Sequence, residues 1–189
     1  MKHIGRILLL TMMLLALGIP ALAVSFVYED VFEFEYPRGW VNYGVDSSED
    51  IPGEYYDAAF VGGKGDDDLC LSVTMYYEDE YDDIRMFSDG EQTAQDLLSL
   101  LESLFYEMQW SDIVKTDAHG IPFAVVHGVD SGGDCLYAET VNNGWTIAFW
   151  GYAYTDGNYD EVRELTPEDE ETFLRILRSF RPVIKEGGR

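Results

Sequence analysis

The stretch Tyr76-Tyr77-Glu78-Asp79-Glu80-Tyr81-Asp82-Asp83 places five acids and three tyrosines in eight positions. Acids at this density can ligate a cation, dock a basic partner or simply stay solvated. Calcium loops need ligands at defined positions and a glycine for the sharp turn. This stretch has the acids and lacks the glycine. It follows a strand pattern ending at Met75 and leads towards a helix pattern, so a solvated acidic connection is the expectation. A second cation candidate is Asp156, Asn158 and Asp160, at the 1, 3, 5 spacing of a calcium loop. Position six is Glu161 and position twelve is Pro167, where an EF-hand needs Gly and Glu, so that motif is excluded. A looser calcium site drawing on Glu164 or Glu168 stays open, while Gly63 to Asp68 reads as a hairpin tip.

Nucleophilic chemistry finds little footing. Val129-Asp130-Ser131-Gly132-Gly133 looks like the serine segment of trypsin-like proteases, and His119 stands upstream in Asp117-Ala118-His119-Gly120. Those proteases hold histidine and serine on separate barrels, and here only eleven residues lie between them. The segment reads as a hairpin loop. Neither His119 nor His127 has a Cys or His partner at zinc spacing; His127 reads as a strand residue with an ordinary hydrogen bond. Paired carboxylates could hydrolyse a glycosidic bond, but the sequence does not single out a pair from 36 acids.

The chain opens with Lys2 and Arg6, an apolar run from Ile7 to Ile19, Pro20, and Ala21-Leu22-Ala23. This is a secretory signal pattern, with cleavage expected before Val24; an uncleaved N-terminal anchor is the alternative. No cysteine follows the leader to carry a lipid. Residues 1–23 are therefore a signal peptide, and residues 24–189 form a single domain. Cleavage leaves 166 of the 189 residues and removes two basic residues and no acid, moving the net charge from −24 to −26. That charge excludes nucleic acid and anionic membrane as partners, since phosphate neutralisation needs Lys and Arg. It favours basic or cationic partners. Aromatic content of 14% argues against disorder.

Alternation marks the strands. Phe32, Phe34 and Tyr36 face one way in one segment, and Leu69, Leu71, Val73 and Met75 in another. Tyr55 to Val61, Ser111 to Asp117, Ile121 to Val129, Asp134 to Val141 and Trp145 to Tyr154 also read as strands. Leu97, Leu101, Leu104 and Met108, widened by Leu98 and Phe105, recur at helical spacing within a helix expected over Asp89 to Met108. A second helix starts at Thr166-Pro167, with Thr166 as cap, acids in its first turn, and Phe173, Ile176, Leu177 and Phe180 on its apolar stripe. Asn143-Gly144 signals a two-residue hairpin. The fold class is α+β: an antiparallel sheet of about seven to eight strands packed with two main helices.

The hairpin sets a register in which Asn142 opposes Trp145 and Val141 opposes Thr146. One face then carries Leu136, Ala138, Ile147 and Phe149. The other carries Tyr137, Trp150 and Tyr152, with Glu139 and Cys135, and Cys70, Ser72, Thr74 and Tyr76 share that division. Aromatics beside polar groups suit a protein, peptide or saccharide surface, so Tyr137, Trp150 and Tyr152 are the candidate binding residues. The competing reading has the second helix or the N-terminal segment covering them. Two cysteines in an oxidising compartment, each starting a strand, predict a Cys70–Cys135 disulfide.

Phe32–Trp40 (FEFEYPRGW), His119–Gly128 (HGIPFAVVHG), Asn142–Ala153 (NNGWTIAFWGYA) and the closing Leu177–Phe180 (LRSF) recur in this order in PsbP-like domains. The mature chain resembles that superfamily, which includes DcrB-type bacterial secreted and lipoprotein relatives. The resemblance implies an α/β/α sandwich serving as a non-enzymatic binding or accessory module; the cysteine of lipoprotein relatives is missing here. Its motifs are turn and packing features and carry over no binding residue. The reading is a secreted, acidic, non-enzymatic binding domain using its aromatic sheet face, without cofactor, for an unidentified protein or saccharide, with acidic loops selecting basic partners. The alternative is a secreted carboxylate-dependent hydrolase.

Overall fold

The structure, a computed structural model, describes residues 23–28, 32–51, 54–65, 68–77, 92–104, 108–129, 133–142, 144–155 and 158–182. The elements are β1 (Ala23–Tyr28), β2 (Phe32–Pro37), β3 (Val41–Ile51), β4 (Glu54–Gly62), β5 (Leu69–Tyr77), α1 (Gln92–Leu104), β6 (Gln109–Trp110), β7 (Val114–Ala118), β8 (Ile121–Val129), β9 (Asp134–Asn142), β10 (Trp145–Thr155), β11 (Asn158–Val162), α2 (Pro167–Ser179) and β12 (Arg181–Pro182). The chain is α+β and mostly antiparallel sheet, with two short helices among the described residues. Nine strands form one sheet in the order β3-β4-β5-β10-β9-β8-β6, with β7 also on β8 and β11 on β10. Two meanders build it. The first ends at β5 in the middle of the sheet. The chain then passes through α1 to the far edge and returns strand by strand until β10 pairs with β5.

Alternation decides which face is core. Leu69, Leu71, Val73 and Met75 of β5, Ile147 and Phe149 of β10, Leu136 and Ala138 of β9 and Phe123 of β8 are all buried in one cluster. Phe173, Ile176, Leu177 and Phe180 of the second helix region complete it, as the helical spacing predicts. So do Phe26, Phe32, Phe34 and Tyr36, which belong to a separate three-stranded sheet, β1-β2-β12. The expected strand at Phe32 to Tyr36 is present with the expected inward face, but it does not join the main sheet. Phe149 packs edge-on against Phe123, Phe173 and Phe180 with ring centroids 5.8, 6.4 and 5.3 Å away. Gly151 lies directly beneath Phe173: a Cβ there would sit 2.6 Å from the ring.

Local chemistry fixes the ends. Thr166 caps α2 and Pro167 opens it. The Asp169 N–H donates to Thr166 Oγ1 at 3.2 Å, and the Thr166 N–H donates to Asp169 Oδ2 at 2.8 Å, a reciprocal cap. Arg163 donates to the same carboxylate at 2.8 Å. The β9–β10 register is the expected one, Asn142 opposite Trp145 and Val141 opposite Thr146. A second tight hairpin joins β7 to β8, where His119 and Gly120 have φ of 53° and 89°, the positive values a type I′ turn requires. The Gly120 N–H donates to Asp117 Oδ1 at 2.9 Å. The Asp-Ala-His-Gly segment is thus turn chemistry.

The first helix is described over Gln92–Leu104, and residues 89–91 and 105–107 of the expected span lie outside the described residues. Leu97 and Leu101 are buried on it, Met108 lies beyond its end, and Phe105 lies outside the described residues. The leader to Leu22, the acidic run Glu78–Asp83 and Ser131 also lie outside them. Among the described residues, no helix is long and apolar enough to cross a membrane.

Candidate functional site

Strand registers assemble the second face of the sheet in rows. Tyr137 of β9 lies opposite Trp150 of β10, Trp150 opposite Ser72 of β5, and Ser72 opposite Phe60 of β4. The row on one side reads Glu139, Ala148, Thr74 and Ala58; the row on the other reads Cys135, Tyr152, Cys70 and Gly62. The three aromatic residues predicted from the sequence are therefore neighbours. What packs beside them differs from the competing reading. Neither α2 nor the N-terminal strands lie here, since both pack on the aliphatic face. Instead α1 sets Leu97 and Leu101 against Ala124, Val126 and Val141, with Tyr137 packed alongside.

This divides the face. On the helix side, Tyr137 packs edge-on against Trp150 at 5.3 Å, and its hydroxyl donates to Glu139 Oε2 at 2.5 Å. Burial, and then the charge and hydrogen bond of Glu139, push the phenol well above its ordinary pKa. It therefore stays a neutral donor that fixes the carboxylate. On the other side, Trp150, Tyr152, Ser72, Thr74 and Tyr76 are half-buried, while Phe60 is 37% and Tyr43 61% exposed. Phe60 and Tyr43 were not recognised as site residues. Phe60 has a legible signal, falling out of phase with the buried Ala59 and Val61. Tyr43 has none, because a bulge between Asn42 and Gly44 displaces it; its hydroxyl donates to the Gly63 carbonyl at 3.3 Å.

The expected Cys70–Cys135 disulfide is not formed in this structure. Both residues occupy one row of this face, but β10 runs between their strands and Tyr152 is the register partner of each. Two strand spacings, about 9.6 Å, exceed the Cα separation a disulfide tolerates, and the thiols are not joined. Burial, and secondarily the Asp68 charge, raise the Cys70 thiol pKa, which makes it a poor nucleophile.

The remaining candidates do not converge. Asn158 and Asp160 lie on strand β11, and Asp156 lies outside the described residues. The loop that the 1, 3, 5 spacing needs is thus largely extended chain. Among the described residues, no three His, Cys, Asp or Glu side chains gather around a cation position. His119 accepts a hydrogen bond from Arg181 Nε at 3.1 Å. His127 lies 2.8 Å, Nε2 to Oδ2, from the buried carboxylate of Asp134, whose Oδ1 accepts the Leu165 N–H. This pair ties the β8–β9 hairpin to the segment entering α2 and has a structural task. No protein-family model matches the chain, and no curated protein matches it.

Proposed function

We propose that the chain is a secreted, non-enzymatic binding module of PsbP-like α/β/α-sandwich architecture, engaging its ligand through the part of its second sheet face that carries Phe60 and Trp150. The architecture is supported by α2 and α1 each packing apolar residues on opposite faces of one antiparallel sheet. The function rests on one observation: Trp150, Phe60, Tyr152, Tyr76 and Tyr43 are partly or largely exposed, and the reverse side behind Phe60, Trp150 and Tyr152 is core. Single exposed apolar residues are ordinary, whereas contiguous ones mark interaction surfaces. Secretion is supported by the leader pattern, whose apolar run ends just before β1 begins at Ala23.

The test is affinity capture from the native extracytoplasmic fraction, run in parallel with wild type, Phe60→Ala and a Phe123-side surface control, Val129→Ala. A species held by wild type and by the control, and lost with Phe60→Ala, is the expected result. Retention unaffected by Phe60→Ala, or turnover of a retained saccharide by the purified protein, refutes the reading.

A further inference from the structure

We propose that the outer face of α2 is a docking surface for a second copy of this chain, lying antiparallel along it about a two-fold axis. Glu168, Glu171, Arg175 and Arg178 are all exposed. Their spacing of three, four and three residues places them in one stripe on the helix, opposite the buried Phe173, Ile176 and Leu177. The stripe reads acid, acid, base, base. Turned end for end about Phe173, it reads base, base, acid, acid. An antiparallel copy therefore sets Glu171 against the partner's Arg175 and Glu168 against the partner's Arg178, and the two-fold repeats both pairs.

Helix electrostatics alone does not account for the stripe. The macrodipole favours acids in the first turn and bases in the last, and its effect fades beyond them. Glu168 and Arg178 lie in those turns, whereas Glu171 and Arg175 do not. Those two stand at the i, i+4 spacing that suits an intrahelical pair. Yet among the described residues none of the four side chains is ion-paired, in a chain with 36 acids and 12 bases. The net charge of −24 makes two copies repel over most approaches. The stripe is locally neutral and its order is its own complement, so here two copies meet with opposite charges facing. A uniformly acidic partner would be repelled by Glu168 and Glu171, and a uniformly basic one by Arg175 and Arg178. Because α2 packs on the aliphatic face of the sheet, a dimer formed through it leaves the Phe60 face of each protomer outward. On the binding reading above, that assembly is bivalent.

Exposed ion pairs are individually weak, so the dimer is a weak one that forms at high protein concentration. Sedimentation equilibrium of the secreted protein at about 0.15 M salt, where general repulsion is screened beyond roughly 8 Å, should show a concentration-dependent dimer. Glu171→Arg and Arg175→Glu should each weaken it at least about tenfold, since the two-fold makes every reversal act on two pairs. Glu171→Arg is decisive, because it lowers the net negative charge and would strengthen any association limited by general repulsion. An equal mixture of the two variants should recover a heterodimer, in which each reversed charge faces its opposite. Circular dichroism and thermal melting check folding, and Glu168→Arg with Arg178→Glu repeats the test at the outer pairs if an inner variant is unstable. Wild type that stays monomeric up to about 1 mM, association untouched by both reversals, or a mixture that stays monomeric overturns the proposal. So does a dimer lost with Phe60→Ala and kept with Glu171→Arg, which would move the contact to the other face.

Discussion

The state of the two cysteines tests the strand order on which the site depends. Cys135 on β9 and Cys70 on β5 both face Tyr152 on β10. Neighbouring strands are about 4.8 Å apart, so the two Cα atoms are separated by about 9.6 Å. A disulfide accepts at most about 6.8 Å, which leaves a shortfall near 3 Å that no side-chain rotation makes up. The roughly 4 kcal/mol that closing so long a loop would contribute in the chain-entropy model is then absent. Titration of the unfolded, unreduced secreted protein should find two thiols per chain, and reductant should leave the melting temperature unchanged. In the folded protein both should react slowly, because Cys135 is buried and the Cys70 pKa is raised. An intrachain disulfide would refute the reasoning outright. It would mean that β10 does not separate β5 from β9, and the Tyr137–Trp150–Ser72–Phe60 row would be lost with it.

Leu101, 3% exposed under α1, should cost about 2–5 kcal/mol on truncation to Ala in urea unfolding; a loss below about 1 would mean the helix docks differently. Gly151→Ala should destabilise by about 1–3 kcal/mol, because the new Cβ meets a Phe173 ring already hemmed in by Phe149; the cost should shrink in a Phe173→Leu background. Thr146 is 1% exposed and its hydroxyl lacks a hydrogen-bond partner, so Thr146→Val should be neutral or stabilising by about 1 kcal/mol in the same assay. For Asp169, burial raises the pKa, but the hydrogen bonds from Arg163 and Thr166 outweigh it and the carboxyl is held below its usual range. A lowered folded pKa gives stability that is present above about pH 4 and lost as pH falls through the folded value. The acid limb of wild type minus that of Asp169→Asn should show this loss, and parallel limbs would remove the cap from the account.

Legibility followed the strength of the local signal. The β9–β10 register was readable to the residue because Asn-Gly fixes a two-residue turn, and everything facing Tyr137 follows from it. The second helix was readable because cap, proline and apolar stripe agree. Partnering was harder to read. The alternation at Phe32 to Tyr36 shows an inward face without saying that the strand belongs to a second sheet, which is settled by packing onto α2 and the core. Asp-Gly-Asn-Tyr-Asp has cation-loop spacing, yet pairing with β10 makes most of it strand, because backbone hydrogen bonds decide where isolated acids do not. The cysteines show the same limit: the alternation puts both on one face, and strand order, which no local pattern encodes, puts Tyr152 between them.

The same separation of local from long-range information bears on why aromatic residues occupy the open half of the face. The aliphatic face must supply apolar groups in every strand to form a core, so its composition is dictated by stability. On the opposite face, among the described residues, α1 supplies the packed apolar side chains. Beyond the helix, threonine or serine would satisfy strand propensity, as Ser72 and Thr74 do on β5, without exposing apolar area. Phe60 therefore exceeds what the sheet requires, and it stands across β5 from Trp150, opposite Ser72. Packing accounts for Tyr137, through α1 and Glu139. It does not account for Phe60, which has more than a third of its surface in water. A residue whose removal should spare the fold while deleting exposed aromatic surface is the sharpest means of separating recognition from stability on this face.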